Sequence, residues 1–396
     1  MHSLYDPGRH EPLAVVEWNP QRVRDAIAAI CRDAESAFHA DRLWPMHPED
    51  DEPGTPAGGI LRGVYCGAAG MVHALGRLAG AGFYEPSLDL AAIAGGLHEA
   101  ALVSPDEEGA GASLMFGYSG ILLVEHRLAP TAMTADALAN AIAANVEHAA
   151  NELLYGAPGM MLVARAMYTR TGEERFAELW QAGGRELLER QEKDGLWTQD
   201  LFGRHDRHVG AAHGFAGNVL ALSAAPEWLD DARAVQIRAV ATASAFALVD
   251  GDVANWPVDA PGMRSGNPTR LQWCHGAAGV VTSLAGLAPD DDAHGALLTG
   301  GGELIWRAGP VAGNAGLCHG TGGNGFAFLA LLDRTGDERW LERARAFAMH
   351  SLDQVDRLRA ATGRGRYSLF TGDVGAALLA AACLTYDARF PGLDDL

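Results

Sequence analysis

The chain has 396 residues, 48 % of them hydrophobic and 20 % charged, and a formal charge of −20. A single compact core stops growing near about 250–300 residues, so two domains or one repeated, layered architecture is expected. The acidity argues against nucleic acid and would attract a cationic peptide, residues 1–20 lack a secretory pattern, and no run reaches the about 18 apolar residues of a membrane span.

From the N-terminus, residues 1–60 read as a leading segment that contains the first outer helix. Val23, Ile27, Ile30, Ala34 and Phe38 recur at helical spacing between Val23 and Leu43, with Arg and Asp on the opposite face. The region 61–396 reads as one repeated unit, and the chain as one structural domain. Seven Gly-x-x-Gly motifs open at Gly67, Gly117, Gly156, Gly214, Gly276, Gly320 and Gly372. Their intervals of 39 to 62 residues suit a two-helix hairpin with loops. Each motif leads into a segment that is apolar nearly all round, as a helix buried on both sides should be. Between motifs lie amphipathic segments such as Glu338 to Asp356, whose inner face carries Leu341, Ala344, Ala348 and Leu352. No alternating strand pattern is read, so the fold is expected to be all-α. Seven wet and seven buried helices suggest a double-layered α/α toroid, closed because its first and last motifs look like the others. Glycine at each inner start would allow close backbone approach and positive φ. The Pro- and acid-rich stretches His47–Gly59 and Asp250–Thr269 read as rim loops.

The chemistry gathers in three motifs. His213, His275 and His319 each precede a motif glycine, and cysteines precede two of them, giving Cys274-His275-Gly276 and Cys318-His319-Gly320. Equivalent repeat positions in a ring converge at one end of the cavity, which would bring two thiols and several imidazoles together. These are zinc ligands, and Cys2His with an open fourth position is a catalytic arrangement. Buried structural cysteines and a closed Cys2His2 site are the competing readings. The five cysteines, at 31, 66, 274, 318 and 383, are an odd set without C-x-x-C, which is no disulfide framework and fits a cytoplasmic protein.

Gly210-Ala-Ala-His213-Gly214-Phe-Ala-Gly217, Leu271-Gln-Trp273-Cys274-His275-Gly276-Ala-Ala-Gly279 and Gly316-Leu-Cys318-His319-Gly320-Thr-Gly-Gly-Asn324 resemble the signature blocks of the lanthionine synthetase C-like family. Glu152-Leu-Leu-Tyr155-Gly156-Ala-Pro-Gly159 resembles a fourth block, and the likeness runs from about Gly63 to the C-terminus. The wording is nearer the stand-alone members than the lantibiotic cyclases, and no kinase-type motif points to a fused synthetase. The resemblance implies a double-layered α-toroid, zinc (Zn2+) on Cys274, Cys318 and His319, and His213 as the proton-transfer residue. It places Arg270 and Trp273 beside the metal and makes His275 a non-ligand, assigned with Trp273 to substrate contact. Similar proteins carry an acid before the third motif, where this chain reads Asn151-Glu152.

The implied activity is addition of a thiol, from cysteine or glutathione, to a dehydroalanine or dehydrobutyrine residue of a dehydrated peptide or protein. Zinc deprotonates a thiol whose ordinary pKa is near 8.5. The thiolate adds to the β-carbon, and the enolate then takes a proton, for which a histidine is a suited general acid. Arg270 is read either as an oxyanion holder or as a rim salt bridge, and Trp273 as cavity wall. The alternative function is a non-catalytic zinc protein that binds glutathione or a peptide, which has no need of His213. A carbohydrate-active toroid would want paired carboxylates at its mouth. Gly320-x-Gly322-x-x-Gly325 spells a dinucleotide fingerprint, but no strand precedes it. His73, His205 and His208 read as surface or packing residues, with His205 and His208 candidates for the cavity mouth.

Overall fold

The computed structural model describes residues 4–14, 16–50, 59–107, 109–201, 203–261 and 269–395. Its first seven helices are α1 (Pro20–Ser36), α2 (Ala68–Gly80), α3 (Leu90–Val103), α4 (Tyr118–Leu128), α5 (Ala132–Asn145), α6 (Ala157–Thr171) and α7 (Glu174–Glu189). The other seven are α8 (Phe215–Ser223), α9 (Ala232–Phe246), α10 (Ala277–Leu284), α11 (Asp292–Ala308), α12 (Thr321–Thr335), α13 (Arg339–Thr362) and α14 (Asp373–Thr385). Even-numbered helices form the inner wall, each packing on the next, and α14 returns against α2 to close the ring. Odd-numbered helices form the outer wall, with α1 seated on α14. The fold is thus the expected seven-plus-seven toroid.

Patterning explains which helix goes where. In α14 every residue from Asp373 to Cys383 is buried, whereas α1 buries only Val23, Ile27, Ile30, Cys31 and Ala34 along one stripe. Two expectations need correction at α1. The helix ends at Ser36 rather than running to Leu43, and Phe38 instead packs from the following turn, its ring 4.9 Å from that of Trp44. The chain also contains strands: β1 (Gln199–Leu201) pairs with β2 (Arg204–Asp206), and β3 (Leu248–Asp250) with β4 (Val253–Asn255). The second hairpin occupies part of the stretch read as a rim loop. Gly251-Asp252 between short apolar runs is a hairpin signal that periodicity over longer windows misses. Residues 51–58 and 262–268 of the two rim stretches lie outside the described residues.

The seven motif glycines each cap the N-terminus of an inner helix. Only Gly276, at φ +103°, needs the left-handed region; the expected use of positive φ does not extend to the others. Close approach is the general reason. A Cβ on Gly156 would lie 1.6 Å from the Ala150 carbonyl, and one on Gly279 would lie 1.9 Å from that of Trp273. Each inner helix therefore rests directly on the backbone of its own leading loop.

Those leading loops are stitched to one another at the residue two before each glycine. Tyr65 N–H donates to Met115 O, Met115 to Leu154, Phe370 to Tyr65, Cys318 to Phe370, Cys274 to Cys318 and Ala212 to Cys274. This belt runs through equivalent positions of all seven motifs and places their side chains around one cavity. Between Leu154 and Ala212 the belt is replaced by side chains, because the Leu154 amide donates to Glu152 Oε2 at 3.0 Å. From the opposite end the C-terminal tail sends Phe390 into the ring, stacked on Trp273 at 4.8 Å and 5.3 Å from Phe326.

Candidate metal centre

Cys274, Cys318 and His319 each bring one donor atom to within 4.8 Å of the others. Cys274 Sγ lies 3.3 Å from His319 Nδ1. Both cysteines are buried, held by the belt of amides. The loop that carries Cys274 is pinned by Asn255 on β4, whose Nδ2 donates to Arg270 O at 2.9 Å while its Oδ1 accepts from Ala277 N at 2.7 Å. Burial resists ionisation of both thiols. At Cys274 the hydrogen bond from Cys318 and the neighbouring His319 imidazole overcome it, holding this thiol well below the usual range. Burial and the Cys274 thiolate push Cys318 well above it. Two soft sulfurs with one imidazole are the donor set that suits zinc.

The centre faces a cavity of about 620 Å³, also lined by His213, Arg270, His275, Tyr65 and Gln272. His213 precedes α8, and its Nδ1–H donates to the fully buried Glu152 carboxylate at 2.9 Å. Glu152 is held in turn by the amides of Leu154 at 3.0 Å and Tyr155 at 2.5 Å. The His213 side chain keeps 30 % of its exposure, which leaves its other edge free to meet the cavity. Burial opposes a proton on this ring, but the Glu152 carboxylate outweighs it and raises the His213 pKa above its ordinary value. The neighbouring Asn151 instead receives Arg190 and donates to Thr198 O, so Glu152 is the acid that reaches the histidine.

His275 stands apart from the three donors. Burial, reinforced by His213 and His208, pushes its pKa down to about 4, so the ring is neutral at physiological pH. Trp273, expected to contact substrate, lies instead behind the wall. It is 1 % exposed because the Phe390 ring covers it. His208 sits edge-on to His275 at 5.4 Å with Nδ1 2.5 Å from Asp259, whereas His205 is exposed on β2. Asp206, His208 and Asp259 also have donor atoms within 4.8 Å of one another. Residue reading missed Tyr65 and Gln272. The signal for Tyr65 was its place two before Gly67, the position Cys274 and Cys318 hold before their own glycines. A larger cavity of about 1240 Å³, at the C-terminal ends of α8 and α10, has no thiol or imidazole among the described residues that line it. The glycines of the dinucleotide-like string serve packing, since a Cβ on Gly320 would lie 2.5 Å from Gly316 O, one on Gly322 2.7 Å from Ala315 O and one on Gly325 2.3 Å from Leu379 Cδ2.

None of the helices among the described residues is long and apolar enough to cross a membrane. The chain is 32 % identical over 197 residues to the LanC-like protein GCL1 of Arabidopsis thaliana, covering 48 % of this chain and 43 % of that protein. It is 35 % identical over 126 residues to the glutathione S-transferase LANCL1 of Danio rerio, covering 31 % of this chain and 30 % of that one. In both, the matched stretch spans less than half of the relative. The solved structure of nisin cyclase superposes with a TM-score of 0.61 at 14 % identity, over 91 % of this chain and 94 % of that one, a likeness of fold. The family pattern for lanthionine synthetase C-like protein matches residues 62–394, and the chain belongs to that family.

Proposed function

We infer that the protein catalyses zinc-dependent addition of a thiol to a dehydroalanine or dehydrobutyrine residue, forming a thioether. The observation that carries this reading is a buried acid–histidine pair, Glu152 and His213, on the same cavity as the Cys274, Cys318 and His319 donors. Those three residues would hold the metal, which supplies a thiolate from a bound cysteine or glutathione thiol at neutral pH. The sulfur lone pair forms the bond to the β-carbon, and the π electrons move onto the carbonyl oxygen as an enolate. Arg270, a permanent cation on the cavity wall, binds that developing oxyanion. With Nδ1–H committed to Glu152, His213 delivers a proton from Nε2 to the α-carbon. His275 remains a neutral wall residue that accepts or donates one hydrogen bond to substrate.

The competing reading, a zinc protein that only binds glutathione or a peptide, gives a buried carboxylate on His213 no task. The decisive experiment incubates zinc-loaded protein with a dehydroalanine peptide and glutathione, then measures thioether by mass spectrometry above the uncatalysed background. Zinc and thiol binding without acceleration would favour the binder.

A further inference from the structure

Two polar side chains touch the metal cluster without belonging to it. The Tyr65 hydroxyl lies 3.4 Å from His319 Nε2 and favours the ionised form of Cys318. Gln272 Nε2 lies 2.8 Å from Cys274 Sγ, while Gln272 Oε1 accepts from Arg9 at 3.4 Å. We propose that Tyr65 and Gln272 are positioning residues of the metal centre, each placing a hydrogen-bond donor on one of the two cysteine sulfurs. This rests on the zinc reading above.

His319 turns Nδ1 toward Cys274 Sγ at 3.3 Å and Gln272 Nε2 at 3.4 Å, so with a metal bound that nitrogen would offer its lone pair to the cluster and Nε2 would carry the hydrogen. Nε2–H would then donate to the Tyr65 oxygen, which leaves the phenolic hydrogen for Cys318. One hydroxyl thereby fixes the tautomer of the imidazole and orients a thiolate, as partners of metal ligands commonly do. The phenol is held in place by its ring, which stacks on Phe370 at 4.9 Å and 9° and rests against Phe116 at 5.0 Å. On the other sulfur, the Arg9 guanidinium can only donate, so it claims the amide oxygen of Gln272 and turns the NH2 toward Cys274. Bound zinc would have both cysteines as thiolates, which would neutralise its two charges; an N–H and an O–H donor would draw charge off those sulfurs and so favour a further, substrate-derived thiolate beside them.

The test uses full-length Tyr65→Phe, Gln272→Leu and Gln272→Glu proteins. Zinc affinity is measured by competition with a chromophoric chelator, and the sulfur-to-metal charge-transfer band is recorded after cobalt(II) substitution. Tyr65→Phe keeps the stacked ring and should still bind one metal, with affinity lowered roughly 10- to 100-fold and the band shifted. Gln272→Glu keeps the shape but replaces a donor with an anion, and should weaken zinc more than Gln272→Leu. Tyr155→Phe removes a hydroxyl bonded to Glu107 and serves as the control that leaves affinity and band unchanged. A Tyr65→Phe protein that loses thermal stability but keeps wild-type zinc affinity and spectrum would overturn the proposal. Equal affinities for Gln272→Glu and wild type would do the same. Failure of the wild-type protein to bind zinc or cobalt would instead overturn the functional reading itself.

Discussion

Replacing Glu152 with Gln tests the proton donor while disturbing little volume. Glu152 is fully buried and its carboxylate sits 2.9 Å from His213 Nδ1. Unit charges at that separation attract by about 6 kcal/mol at an effective dielectric near 20, before the desolvation that opposes them. The measurable remainder is the worth of one charge-assisted hydrogen bond, about 1.5–3 kcal/mol, equivalent to roughly one to two pH units in the titration of His213. The general acid must be protonated, so wild-type kcat/KM is present below the raised His213 pKa and falls as pH rises through it. In Glu152→Gln that alkaline limb should move down by roughly one to two pH units, and the neutral-pH rate should fall about 10- to 100-fold. Zinc content should not change, because Glu152 touches none of the three donors. The variant should also be less stable by about 1–3 kcal/mol, since the new amide cannot accept from both the Leu154 and Tyr155 amides. Background-corrected rates across the neutral and alkaline range give the limb, and thermal melts give the stability. A limb and rate equal to wild type, with zinc retained, would refute His213 as the proton source.

Cys274→Ala and Cys318→Ala should each abolish tight zinc binding while His275→Ala retains it, read by elemental analysis after dialysis; loss in His275→Ala alone would move the ligand assignment. Gly279→Ala would place a Cβ 1.9 Å from Trp273 O and 2.8 Å from Ala211 Cβ, and should cost about 1–3 kcal/mol or more and reduce zinc occupancy, checked by melting temperature and metal content. Glu11 anchors the N-terminal segment through His350, Gln354 and Arg357. Burial resists its ionisation, but Arg357, His350 and Gln354 outweigh that and hold its pKa down to about 2. The anchorage is therefore complete above the free value of 4.5 and lost as pH falls toward 2, so hydrogen exchange in residues 4–14 should quicken in that window, and at neutral pH in Glu11→Gln.

The ring was legible in the amino-acid sequence, and so was the cluster of thiols and imidazoles that gathers on it. A local signal, Gly-x-x-Gly before an all-apolar segment, repeats often enough to count the inner helices, and sterics at the Ala150 and Trp273 carbonyls explain why those glycines are there. Cys274 and Cys318 were visible because they occupy one repeated position, two before a motif glycine, and His319 because it shares the next position with His213 and His275; the choice among those histidines rested on the family resemblance. Tertiary structure alone decided which neighbours serve them. Glu152 meets His213 across 61 residues and Tyr65 meets His319 across 254, contacts that no spacing encodes. Trp273 shows the converse. It stands beside Cys274 in sequence, yet Phe390 of the tail covers it and removes it from the cavity. The physical reason is the belt of amides between leading loops, which converts seven distant sequence positions into adjacent ones only once the ring has closed.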